Sequence, residues 1–507
     1  MKKITTLNII AAALILLISC SGNENDLTVV SINSLNGNIF PIEKDSVKTG
    51  GMSLISSKIK EVRGKDVNRK TEIIGNSNFI YGTAEAYFTG GKAVIDLMNE
   101  LNFSCLIIGH REFYFGYKEL ENLSASAKFP FISANLVNKD SSRIEFIKPY
   151  VILKDNITAV IGISTGKVLK ANLEKDISSI AVTDPVGAVE KNIAELKAKG
   201  VRNIIVAGDF DCDINTSSNL TRDEIKRLFA LTEIDLFLTT IETNKSCILS
   251  KEKPVQHSGI NGSELVSFDI KDGVIINQRR HKINSETAVP DANLTDKMAE
   301  IDQMIRTITG KILGNSLDDI GHAAGDKFTY ETPLGDLICD IMREYTGTDI
   351  FVMNSGKVRR GFEKGPITLG DLYGVLPYEG NLVTVEMKGS QILTMLESSC
   401  SIKMSKSFLQ VSGISFSYDS SKPPMSRVID KTVKINGKNL DINTVYSVSL
   451  TDYIFQGGDS YTEFAEMGIK LIKTHQKQMR EILKDYINAS VTIRAHENNR
   501  ITDISKL

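Results

Sequence analysis

Apolar residues recur along this chain in two rhythms, and the alternation between them lays out the fold. From Leu27 to about Ile283, short β-rich runs predict strands at Thr28–Ile32, Glu72–Ile74, Cys105–Ile108, Ala159–Ile163, Asn203–Ala207 and Asp235–Leu238. Between several of them lie longer stretches, Ala84–Asn99 and Val186–Lys199, whose lengths suit helices. Strands alternating with helices predict an α/β architecture, in which a ligand sits at the carboxyl ends of the strands.

A second helical rhythm marks a boundary. Leu294, Met298, Ile301, Met304, Ile305 and Ile308 form one stripe, preceded by Pro290 and ended near Gly310, so residues 290–312 read as a linker helix between domains spanning 27–285 and 316–507. Beyond it, Leu334, Leu337, Ile338, Ile341, Met342 and Tyr345 fall on one helix face, with Thr332 placed to cap the first turn and Pro333 at the first helical position. A strand at Asp349–Met353 runs into Asn354-Ser355-Gly356-Lys357-Val358-Arg359. That turn brings backbone N–H groups, a carboxamide and a guanidinium together, which is hydrogen-bonding equipment for a polar ligand.

Composition changes this picture mainly at the start of the chain. Lys2 and Lys3 precede an apolar run, Ile9–Ile18, that is short for a bilayer, and Leu17-Ile18-Ser19-Cys20 has the form of a bacterial lipobox. Residues 1–20 are therefore expected to be a lipoprotein signal, with Cys20 lipidated and the remainder lipid-anchored outside the cytoplasm in a bacterial cell envelope, at the outer membrane or cell surface. An uncleaved membrane anchor is the alternative. The 507 residues are 41% apolar and 24% charged, an ordinary globular composition with room for two or more domains. A net charge of −2 argues against nucleic acid as a partner, and Arg279-Arg280-His281 and Arg359-Arg360 read as solvated faces. Besides Cys20, the five cysteines Cys105, Cys212, Cys247, Cys339 and Cys400 show no paired C-x-x-C spacing. They suggest neither a disulfide framework nor a thiolate metal site, and Cys105 and Cys339 lie in apolar runs that suit a core.

Four ordered motifs then carry a family resemblance. Asn354–Arg359, GPITLGDLYGVLPYEGN from Gly365 to Asn381, FLQVSGISFSYD from Phe408 to Asp419, and TDYIFQGGDSY from Thr451 to Tyr461 together resemble the C-terminal domain of the 5'-nucleotidase family, which includes ecto-5'-nucleotidases and periplasmic UDP-sugar hydrolases. A fainter likeness extends over nearly the whole mature chain. The resemblance implies an N-terminal calcineurin-like metallophosphoesterase-type β-sandwich with flanking helices, a linker helix, and a C-terminal α/β substrate-binding domain.

It also implies a cofactor, two divalent metal ions, whose ligands this chain does not retain. Ser34 and Asn36 stand where the family has Asp and His, and Gly75-Asn76 stands for the Gly-Asp of the bridging carboxylate. The family's G-N-H-E-F-D appears as Gly109-His110-Arg111-Glu112-Phe113-Tyr114, and its later histidines fall on Gly208, Ile241 and Thr243. Independently of the family, a two-metal site needs several anionic or imidazole ligands converging on both ions. Of six histidines, His110 lies at a strand end of the first domain and His257 near another. Asp209, Asp211, Asp213 and Glu242 lie close to the lost positions, which leaves a rearranged site open. The expectation is no metal cofactor and no dinuclear catalysis.

In the second domain the resemblance implies a nucleotide or nucleoside site. Tyr378 and Tyr453 match the aromatic pair that stacks the base, Asn354 and Arg359 match polar contacts, with Gly356 in the same turn, and Asp459 matches the residue that holds a ribose. The family's Arg ahead of the first helix is replaced by Phe328 or Thr329, with Lys327 the nearest cation. The alternative is that both tyrosines are core residues and the turn is only a turn. Arg111, where the family has His, is a candidate phosphate contact, or else a partner of Glu112 or Asp209. Three functions remain on this reading: a binding protein of 5'-nucleotidase ancestry, a phosphohydrolase with a rebuilt metal site, and an adhesive or structural surface protein with a vestigial pocket.

Overall fold

The computed structural model describes residues 26–64, 69–171, 177–210, 220–240, 255–271, 273–321, 330–377, 380–401, 406–495 and 499–506. The chain divides into two compact units, Met1–Gln303 and Met304–Leu507, and the division falls inside the helix Ala292–Thr309.

The first unit is built on two sheets. One runs, in spatial order, Val274–Lys282, Glu264–Lys271, Leu27–Asn33, Lys70–Asn76, Cys105–Ile107, Phe131–Ile132 and Ile147–Lys148, with the last five parallel to one another. The other runs Val255–Gln256, Leu236–Leu238, Asn203–Gly208, Thr158–Ile163 and Tyr150–Ile152. Val29, Ile74, Ile107 and Ile132 of the first sheet share a buried cluster with Val160, Ile205 and Leu236 of the second, which makes the pair a sandwich. Their neighbours along each strand face outward. Val30, Ile32 and Ile73 pack with Ile55, Ile59, Val94 and Leu97 of flanking helices, while Ile161 and Val206 pack with Val189, Ile193, Ile225 and Leu228. Strands covered on both faces are apolar at most positions, which is why they read as near-continuous runs.

One helix expectation is corrected. Ala84–Asn99 is two helices, Ala84–Phe88 and Lys92–Glu100. Gly90 and Gly91 interrupt them at φ 58° and 82°, a left-handed backbone that no helix interior contains. A Cβ on Gly91 would sit 2.3 Å from Ile80 Cγ2, so the break also lets the chain pass close to the core.

The second unit centres on a sheet ordered Leu409–Ser412, Ile350–Asn354, Val445–Thr451, Leu382–Lys388 and Leu471–Thr474. Helix Pro333–Thr346 starts as its sequence predicts: the Thr332 hydroxyl accepts from Gly335 N at 3.1 Å, and Gly347 ends the helix at φ 68°. Leu337, Ile338, Ile341 and Met342 cover Phe351 and Met353 on one face of the sheet. Ile392, Met395 and Leu396 of helix Gly389–Ser401 cover Ile350 and Val352 on the other. Cys105, Cys339 and Cys400 are buried free thiols, whereas Cys20, Cys212 and Cys247 lie outside the described residues. Among the described residues no helix is long and apolar enough to cross a membrane.

Candidate functional site

In the second unit, three expected site residues meet. Asn354 ends its strand, and its Nδ2 donates to Asp459 Oδ2 at 2.7 Å across 105 residues of sequence. Tyr453 Oη donates to Asp459 Oδ1 at 2.9 Å, and the Asp459 amide returns a bond to Tyr453 Oη at 3.3 Å. Asp459 reaches this position through a left-handed backbone, φ 51°, ψ 31°. A Cβ on Gly458 would meet the Tyr453 ring at 2.6 Å, so glycine there lets the ring fold back over the turn. Tyr453 is 50% exposed, which excludes it from the core. Burial, then the Asp459 carboxylate, raise its phenol above the ordinary range. Asn354 is buried, and its Oδ1 has no hydrogen-bond partner.

The turn after Asn354 differs from expectation. The amides of Ser355 and Gly356 donate to Phe408 O and Lys406 O, each at 2.7 Å, so these N–H groups are satisfied within the chain and are not offered to a ligand. A Cβ on Gly356 would lie 2.6 Å from Lys406 Cβ, which makes that glycine a close-approach residue. The Arg359 amide bonds Val375 O at 3.0 Å, and its side chain is half-buried. Tyr378, Lys327, Phe328 and Thr329 lie outside the described residues.

Sequence reasoning missed a buried charged cluster behind these residues. Lys357 and Arg480 are 7% and 4% exposed. Asp452 Oδ1 accepts from Tyr453 N at 2.8 Å, its Oδ2 accepts from Asn381 Nδ2 at 3.1 Å, and its own amide donates to Asn381 O at 2.9 Å. Arg480 lies over the Tyr373 ring at 3.8 Å and donates to Leu376 O and Pro377 O, each at 2.8 Å. Burial pushes the Lys357 ammonium down to about 8 against the pull of Asp452, with Arg480 adding to the fall. Burial also raises the Asp452 carboxyl, more than the Lys357 charge lowers it. A lysine between Gly356 and Val358, in a run otherwise without long cations until Arg359, was the available signal.

In the first unit, the strand ends expected to hold metal ligands are joined by hydrogen bonds. Asn76 Nδ2 donates to Asn33 Oδ1 at 3.3 Å, and Asn33 Nδ2 donates to the Thr239 carbonyl, which follows a strand of the opposite sheet. His110 Nδ1 and Asp209 Oδ2 lie 2.8 Å apart, again linking the two sheets, and Thr240 Oγ1 donates to Asp209 Oδ1 at 2.7 Å. Asn36 Nδ2 bonds Asn261 Oδ1 at 2.8 Å. Burial lowers the His110 imidazole despite Asp209. Burial works against ionisation of Asp209, but the His110 bond and charge, Lys167 and Thr240 outweigh it and hold the carboxyl below the usual range.

Glu112 is fully buried and accepts three amides, from Asn78 at 3.0 Å, Phe79 at 2.6 Å and Gly109 at 2.7 Å, yet burial still raises it. Pairing of Arg111 with Glu112 or Asp209 is therefore corrected. Both carboxylates are committed elsewhere, and Arg111 Nη1 donates to Tyr81 O at 3.2 Å. Asp211, Asp213, Ile241, Glu242 and Thr243 lie outside the described residues. Among the described residues no group of three His, Cys, Asp or Glu side chains could hold a metal ion.

The chain can now be set beside known proteins. The family model "5'-nucleotidase, C-terminal domain" matches residues 310–466. Snake venom 5'-nucleotidase of Crotalus adamanteus is 23% identical over 496 residues, covering 88% of this chain and 83% of that protein. Endonuclease YhcR of Bacillus subtilis is 24% identical over 463 residues, 84% of this chain, but the chain spans only 37% of that relative. A putative 5'-nucleotidase from Staphylococcus aureus, solved in complex with alpha-ketoglutarate, shares the fold with a TM-score of 0.78 at 16% identity, over 94% of this chain and 99% of that one. Residues 310–466 thus match the C-terminal domain of the 5'-nucleotidase family, and over most of its length the chain is similar to 5'-nucleotidases and shares their fold.

Proposed function

We propose that this protein is a lipid-anchored surface protein that binds a nucleotide or nucleoside through its second unit and no longer carries out dinuclear-metal hydrolysis. The observation that carries the binding reading is the meeting of Asn354, Tyr453 and Asp459, three matched residues from two distant segments. Tyr453 offers a half-exposed ring for a base, and Asp459 offers a carboxylate to ribose hydroxyls in exchange for its present partners. A donor from the ligand would also satisfy the buried Asn354 Oδ1, whose lack of a partner otherwise costs about 1–3 kcal/mol.

Loss of catalysis is supported by what stands at the strand ends of the first unit. Neutral Asn33, Ser34, Asn36 and Asn76 occupy them, with one His–Asp pair, and hydrogen bonds do the joining. Arg111 can hold a phosphate in a bidentate manner but cannot generate hydroxide from water at neutral pH. Calorimetry with adenosine and AMP tests the binding reading. Heat from the wild type that is lost in Tyr453→Ala supports it, and equal heats for the two, or none for either, would mean a vestigial pocket and an adhesive or structural role. The second reading, a rebuilt hydrolase, draws on the pairing of His110 with Asp209. It requires stoichiometric metal and phosphate release from AMP or UDP-sugars that chelation abolishes.

A further inference from the structure

We propose that the first unit carries a ligand site of its own, a preformed cavity between the strand Leu136–Asn138 and helix Pro185–Ala198 that takes a small organic anion, with a carboxylate held at Arg143 and Lys191 and a short hydrocarbon chain against the walls. None of its residues belongs to the strand-end cleft or to the nucleoside site, so it stands independently of the function proposed above.

Three segments enclose the cavity, residues 133–137, 141–149 and 183–192. The strand Leu136–Asn138 pairs antiparallel with Ile180–Val182, and the chain beyond it turns back where Asn138 Nδ2 donates to Ser142 Oγ at 2.9 Å and to Arg143 O at 3.2 Å. Asn135, fully buried, fixes the base: its Nδ2 donates to Ser164 O at 2.8 Å and to Thr183 O at 3.1 Å, and its Oδ1 accepts the Ser164 amide at 2.8 Å. The helix is fixed at its start because the Asp184 side chain accepts the amides of Val186 and Gly187. The space left is about 340 Å³, at the small end of ligand pockets. Walls already held in place cost little ordering when a ligand binds.

Leu136, Val137, Ile144, Ile147 and Pro149 give the cavity its apolar walls. Arg143 and Lys191 line the same space, one from the turn after the strand and the other from the second turn of the helix. Among the described residues neither has a carboxylate within ion-pair distance. Asp184, the acidic residue of the lining, is spent on its two helix amides and on Arg227 at 3.2 Å. Glu195, near enough to feel the Arg143 charge, already accepts from Tyr150 Oη at 2.6 Å and from Lys199 Nζ at 2.8 Å. Two cations without a counter-charge beside apolar walls select an anion that has a hydrocarbon part. The guanidinium pairs a carboxylate through two parallel N–H donors, the ammonium adds a point charge, and the hydrocarbon leaves water.

The experiment is a calorimetric titration of hexanoate into the full chain at neutral pH, with inorganic phosphate and hexanol as the other probes. It is run on the wild type, on the double variant Arg143→Gln/Lys191→Gln, and on Ala188→Leu, which fills the cavity with a residue that suits a helix. Hexanoate should bind the wild type saturably at a single site. The double variant should bind it at least about tenfold more weakly, the loss expected when charge-assisted hydrogen bonds go. Ala188→Leu should not bind it, with a urea midpoint near the wild type's to show that the fold is kept. Phosphate lacks the hydrocarbon and hexanol lacks the charge, so each should bind the wild type at least about tenfold more weakly than hexanoate. The inference would be overturned by the absence of saturable hexanoate heat from the wild type, by heat that survives in a folded Ala188→Leu, by a double variant that binds as the wild type does, or by phosphate or hexanol binding as tightly as hexanoate.

Discussion

Tyr453 has two parts with separable roles. Its ring is half exposed, and its hydroxyl ties Asp459 in place. Removing the ring should cost about 1–3 kcal/mol of nucleoside binding, the worth of an aromatic platform under one base. Tyr453→Phe keeps the platform and should lose only about 0.5–1.5 kcal/mol, the net value of a hydrogen bond, and calorimetry on both variants separates the two. In the first unit the residue to test is Asp209. Its carboxyl is held below the usual range, so it stabilises the fold above about pH 4, and that stability is lost as pH falls through its folded value. His110 is lowered from its ordinary value, so below about pH 6.5 the unfolded chain takes up a proton that the folded chain does not. Both effects weaken the fold in acid. Asp209→Asn should cost about 1–3 kcal/mol at neutral pH and flatten the acid dependence, as read by urea unfolding at several pH values. Arg111→Ala separates phosphate from base: it should weaken AMP and spare adenosine if the guanidinium holds phosphate, whereas equal affinities for wild type and variant would leave Arg111 its bond to Tyr81 O alone.

At the scale of elements, the Gly90–Gly91 break makes a graded prediction. Gly90→Ala meets little besides the Glu119 carboxylate at 3.5 Å and should cost about 1 kcal/mol for its left-handed backbone. Gly91→Ala adds a 2.3 Å clash with Ile80 and should cost more than about 2 kcal/mol, measured by denaturant unfolding. The same positions show what a sequence does and does not declare. Strands such as Asn203–Gly208 were legible within a residue or two because burial on both faces leaves Ile204 to Ala207 a continuous apolar run. The hairpin partner Val274–Lys282 was not, because it is an edge strand whose Gln278-Arg279-Arg280 segment is exposed and reads as a charged run. Thr332 and Pro333 announced the start of their helix because capping is local chemistry. The site is the opposite case: Asn354 and Asp459 are 105 residues apart, and only family resemblance joins them before the fold does. Spacing alone could not show that the Gly356 amide is consumed by Lys406, or that Lys357 is buried, since both depend on segments that arrive later in the chain.

At the scale of the whole molecule, the two units differ in what they retain. The first unit keeps the sandwich but joins its strand ends with amides, hydroxyls and one His–Asp pair, while the second keeps matched polar and aromatic residues in contact. On the function proposed above, the protein holds a ligand where it is tethered. Cys20→Ala should then move the protein from the membrane fraction to the soluble one, and full-length protein that stays with the membrane would contradict a lipid anchor. The most direct test of binding without hydrolysis is the phosphorus NMR spectrum of AMP mixed with the full chain and supplied with zinc or magnesium. The account predicts that the AMP resonance shifts or broadens on adding protein and that no inorganic phosphate signal grows in; a growing phosphate signal that a chelator stops would contradict it.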